Sequence, residues 1–158
     1  MNGDFMSGES VARSLNPQPE NSGSRLLLST LEAAHRQLDL VLTGFEGPVG
    51  EEGKDLLRLN AARLAIARAN LARRQVIQEV CCHLTSRVAA EDADAIRAHR
   101  RRDVECFQKV SELVREWTPD AISADWAGYS VASGKIRAGI LELVAAEREL
   151  LYPLLQRH

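Results

Sequence analysis

Residues 136–155 read IRAGILELVAAERELLYPLL, and this stretch decides the fold. Ile136, Ile140, Leu143, Glu147, Leu150 and Leu154 follow alternating steps of four and three. That spacing is the seam of a helix packed inside a bundle. One member of the seam is a carboxylate. A Glu aimed at a core costs several kcal/mol unless it is paired, protonated or bound to a metal. What Glu147 faces is therefore the question for the whole chain.

The chain has 158 residues, enough for one domain and a tail. Hydrophobic residues make up 45% and charged residues 27%, with a formal net charge of -2. No global field draws the chain to nucleic acid or to a membrane surface. No apolar run is long enough to span a bilayer. MNGDFMSGES lacks the basic and apolar regions of a secretion signal, so the expected location is cytoplasmic. Cys81, Cys82 and Cys106 are an odd set on expected buried helix faces and read as reduced thiols. Aromatics are only 4%, which favours helix over strand.

Working outward from the last helix, the pattern predicts three more. Residues 1–24 (with SLNPQPENSGS at 14–24) are rich in Gly, Ser, Asn and Pro and are expected to be a disordered tail, apart from a short turn near Ser10–Leu15. Helix one runs from Ser24, read as its N-cap, to Thr43, with the seam Leu28, Leu31, His35, Leu38 and Leu42. GFEGPVGEEG at 44–53 is a loop. Helix two starts between Glu52 and Asn60, ends near Ala89, and takes Leu64, Leu71, Val76, Ile77, Val80, Cys81, Leu84 and Val88 as its apolar face. Helix three runs from Glu91 or Asp92 to Trp117, with the seam Ile96, His99, Asp103, Cys106, Val110, Leu113 and Trp117. Thr118 and Pro119 stop it. The last helix starts near Ser123 or Asp125, and Pro153 should kink its final turn. Four amphipathic helices without a strand signal predict an all-α fold: an antiparallel up-down-up-down four-helix bundle over 25–158.

Antiparallel neighbours share a height when they are equally far from their turn. With turns near Glu91 and Ile122, His83 is level with His99, Arg87 lies near Glu147, and Asp103 lies near Glu79. Each residue of error in a turn centre moves these heights by about 1.5 Å per helix. His35 has no predicted height, because the first connection is irregular.

Carboxylates and imidazoles converging in a four-helix core are how di-iron sites are built. Glu32 and His35 form one Glu-x-x-His pair, but the ferritin-like scheme needs two on separate helices. The chain resembles the hemerythrin-like, or HHE cation-binding, family instead. LEAAHRQLDLVL supplies His35, EVCCHLTSR supplies His83, IRAHRRRD supplies His99, and LVAAERELLYPLL supplies Glu147 followed by the Leu-Tyr-Pro ending. The resemblance covers about residues 25–157 and implies a four-helix bundle with metal ligands at His35, His83, His99 and Glu147. It implies iron first and zinc second. The family pattern also asks for a Glu four residues after His83 and a His four before Glu147. This sequence has Arg87 and Leu143 there.

Arg87 cannot lose its proton in a protein and would repel a dication. It is therefore expected to reach Glu147 and replace the metal as its counter-charge. A mononuclear site from His83, His99 and Asp103 or Glu79 is an alternative. The plainer readings are satisfied core histidines, inert buried thiols, and a solvated face at Arg100–Arg102.

No nucleophile elbow, phosphate loop, dinucleotide glycine pattern or Cys-x-x-Cys pair is present, so no enzyme chemistry is expected. The sequence thus points to a hemerythrin-like bundle with a decayed di-iron site, acting as a binding or regulatory module. Its rivals are a working oxygen-sensing, oxygen-carrying or iron-storing member of that family, and a plain helical dimerisation module. The expected partner is another protein or a second copy of the chain.

Overall fold

A computed structural model describes residues 19–44 and 56–158. These residues form five helices, α1 Pro19–Gly44, α2 Leu56–Thr85, α3 Ala90–Glu116, α4 Pro119–Ala124 and α5 Trp126–Arg157, and no strand. None of the helices is long and apolar enough to cross a membrane. Residues 1–18, the expected turn near Ser10–Leu15, and residues 45–55 of the first connection lie outside the described residues.

The three-four seams of α1, α3 and α5 are where the periodicity puts them. Leu31, His35, Leu38 and Leu42 are buried on α1. Ile96, His99 and Asp103 are buried on α3, and Ile140, Leu143, Glu147 and Leu154 on α5. Ser24, read as an N-cap, is instead a buried residue within α1, which already begins at Pro19.

The face expected of α2 is wrong in its first half. Leu64 is 50% exposed and Leu71 52% exposed, while Asn70 and Arg73 are buried. The true seam runs back from Leu84 through Val80, Ile77, Arg73 and Asn70 to Leu59. Leucines at 57, 64 and 71 mimic an apolar face, but they sit opposite the one that the second half of the helix buries.

The connection between α3 and α5 contains the short helix α4, which the sequence reading did not include. Thr118 accepts a bond from the Ala121 amide at its start. Asp125 caps α5 by accepting from the Gly128 amide. A Cβ on Gly128 would collide with the Asp125 carboxylate and lie 2.9 Å from the Trp117 ring, so only glycine lets cap and indole meet there. Pro153 does not interrupt α5, which continues through it to Arg157.

The core is layered. Leu31, Ile77, Val80, Leu84, Ile96, Leu151 and Leu154 form one apolar cluster. Leu38, Leu42, Ala69, Ile140 and Val144 form a second. Leu59, Ile122 and Tyr129 close the far end. Between the first two clusters, each long helix places a polar side chain inward: His35 on α1, Arg73 on α2, His99 and Asp103 on α3, and Glu147 on α5.

Candidate functional site

Glu147 is completely buried and is the hub of this polar layer. His35 Nε2 lies 2.8 Å from Oε2, and His99 Nε2 lies 2.9 Å from Oε1. Arg73 Nη1 also donates to Oε1. Burial alone would push the Glu147 carboxyl up; the two imidazole bonds and the Arg73 charge outweigh it and hold the group at about 2. The carboxylate is therefore ionised and can only accept, so both imidazoles donate through Nε2.

The same imidazole carries the network outward. His35 Nδ1 lies 2.8 Å from the Tyr152 hydroxyl, which can accept from it or donate to it. The two rings are stacked, with centroids 5.7 Å apart. A chain of hydrogen bonds thus leads from a half-buried phenol through an imidazole to the buried acid. His99 has no equivalent, since its Nδ1 is buried with no partner.

Arg73 is 1% exposed and uses its guanidinium on three groups. Besides Glu147, Nη2 donates to Asp103 Oδ1 at 2.5 Å and Nε donates to Asn70 Oδ1 at 3.1 Å. The second oxygen of Asp103 accepts from Arg74 Nε at 2.8 Å. Arg74 in turn lies over the Phe107 ring, 4.1 Å from its centroid. Two carboxylates, Glu147 and Asp103, thus face two guanidiniums, Arg73 and Arg74. Such a cluster is stable only because nearly every donor and acceptor in it has a partner.

The expected residues are thus partly brought together. His35, His99 and Glu147 meet in one layer. His83 does not join them; its Nε2 is bonded to the Ser24 hydroxyl at 2.7 Å, at the outer end of α1. Burial first and the Arg87 charge second lower the His83 pKa. Arg87 is not the partner of Glu147. It is exposed, and its Nη1 donates to the His83 carbonyl at 2.7 Å.

The error is one of register. Asp103 meets Arg73 and Arg74, not the height of Glu79, because α2 ends at Thr85 and α3 starts at Ala90. The turn is centred near Val88, three residues before the expected Glu91. A shift of that size moves every facing pair by six residues, about 9 Å along the helix. Cys82, expected inside, is exposed, whereas Cys81 is buried and its thiol is pushed up to about 11 by burial.

The donor set does not fit a metal ion. Both oxygens of Glu147 are engaged by imidazoles and by a guanidinium that keeps its proton. Among the described residues, no group of three or more His, Cys, Asp and Glu is arranged to hold one. Sequence reasoning missed Arg73 and Asn70, and had Tyr152 only as part of the Leu-Tyr-Pro ending. The signal for the first two was the Ile77–Val80–Leu84 seam, which reaches Arg73 and Asn70 when stepped back by four and three.

No family model matches the chain, and no curated protein or solved structure matches it.

Proposed function

We propose that the chain is an up-down-up-down antiparallel bundle of its four long helices, of the hemerythrin-like kind, in which an internal cation stands where that family keeps its metal. In this reading the protein is a non-catalytic binding or regulatory module. The observation that carries it is the Arg73 guanidinium, buried between Glu147 and Asp103 with two imidazoles on the same carboxylate. A fixed positive charge there does electrostatically what a bound dication would do, and it excludes one by repulsion. Of the residues that prompted the family resemblance, His35, His99, Glu147 and the Tyr152 of the Leu-Tyr-Pro ending meet in a single layer and support the kinship, while His83 lies outside it.

Metal analysis of protein purified from cells supplied with iron and zinc tests the reading. The expected result is no stoichiometric metal in the natural chain. Arg73→Ala, which uncovers two carboxylates and two imidazoles, is expected to take up a divalent ion. Near-stoichiometric iron in the natural chain, lost in His99→Ala, would overturn the proposal in favour of a working metal protein.

A further inference from the structure

Helices α3 and α5 enclose an open groove of about 890 Å³. Cys106, Leu113, Trp117, Val131, Ile136 and Leu143 supply its apolar lining. Its α5 wall is recessed at Gly139, where an added Cβ would meet nothing within 4 Å. Val131 is 61% exposed in it. A groove of this kind, apolar below and charged above, is the usual form of a helix-docking surface.

The rim identifies the occupant. On α3 it reads Arg102, Glu105, Lys109, Glu112 and Glu116, spaced by three and four along one ridge; on α5 it reads Lys135 and Glu142. All seven side chains are exposed, and none takes part in an ion pair among the described residues. The signs nearly cancel, so the rim selects neither a strongly acidic nor a strongly basic partner.

Instead, the order of the signs is self-complementary. A two-fold axis passing beside Phe107, perpendicular to α3, sets Arg102 opposite the second copy's Glu112 and Glu105 opposite the second copy's Lys109. The register of α3 on α5 is fixed by the His99–Glu147 bond and the Trp117–Tyr129 ring contact. With that register, the same axis brings Lys135 within about one helical turn of the second copy's Glu105. It brings Glu142 equally close to the second copy's Lys109.

We infer that the α3/α5 groove is a homodimer surface, in which the α3 helices of two copies lie antiparallel and each fills the other's groove. The contact is isologous, so each charge pair occurs twice. Aliphatic stems of Arg102 and Lys109 cover the apolar lining while their heads pair above it. Exposed pairs are individually weak, so they set the register and the covered apolar surface supplies most of the attraction. The inference does not depend on the reading of the buried ion pairs; metal uptake would overturn that reading and leave this one intact.

Sedimentation velocity of the full chain over a range of concentrations tests it, with circular dichroism to check helix content. The natural chain is expected to dimerise reversibly, less tightly at high salt. Arg102→Glu and Glu112→Arg should each weaken the dimer about tenfold or more, and combining them should restore it, because the pair is re-formed with its signs exchanged. Gly139→Leu, which projects into open space and improves helix propensity, should block dimerisation without loss of helix. A monomer at all concentrations overturns the inference. So does a dimer that these variants leave unchanged, or a double variant that associates no better than the singles.

Discussion

At the scale of the residue, the chain depends on a charge that has no route to water. Replacing Arg73 by Met leaves Glu147 and Asp103 facing each other across an apolar side chain, with Arg74 compensating only the outer of the two. The expected cost is about 3–5 kcal/mol, measured by chemical denaturation. Adding Glu147→Leu and Asp103→Leu to Arg73→Met should recover much of the loss, since the only charge then left without its partner is the partly exposed Arg74. The pH dependence has a definite sign. The Glu147 pKa is depressed in the folded chain to about 2 from the ordinary 4.5. Its contribution is therefore complete above about pH 5 and fades as pH falls towards 2. Denaturation midpoints at stepped pH should fall across that window, and the fall should flatten in Glu147→Gln. That Glu147 faces inward was legible from its place in an apolar seam. That Arg73 answers it was not, because a guanidinium in a seam position looks like a break in the pattern, and Leu64 and Leu71 offered a false face in its stead.

At the scale of the element, the seams of α1, α3 and α5 could be read directly, since one polar residue in five or six, or two in seven on α3, does not hide a three-four alternation. What could not be read was how the helices slide past one another. Periodicity fixes which face of a helix is buried, but height depends on turns, and the turn between α2 and α3 is a tight one closed by the Arg87 amide bonded to the Leu84 carbonyl at 2.8 Å. Arg87 was consequently assigned a central role and has a peripheral one. Arg87→Ala is expected to change stability by no more than about 0.5 kcal/mol, in contrast to Arg73→Met. Ser24→Ala tests the contact between α1 and α2 at the same end of the molecule. It removes the bond to His83 and should cost about 1 kcal/mol in equilibrium unfolding.

At the scale of the whole molecule, thiol chemistry reports how tightly the layers close. Cys82 is exposed and should react promptly with a thiol reagent. Cys81 lies in the first apolar cluster with its thiol pushed up to about 11, so the reactive thiolate is scarce even where the reagent can reach it. Its labelling should proceed only as fast as the helices part, which mass spectrometry can follow residue by residue. The arrangement of the polar layer bears on how that opening occurs. The carboxylate of α5 takes its hydrogen bonds from α1, α2 and α3, one residue from each. A half-assembled intermediate of two or three helices would have to dry an ionised group before its last companion arrived. Intermediates that close over Glu147 before all three donors are in place are thereby penalised, which favours joint assembly and joint opening of the four segments.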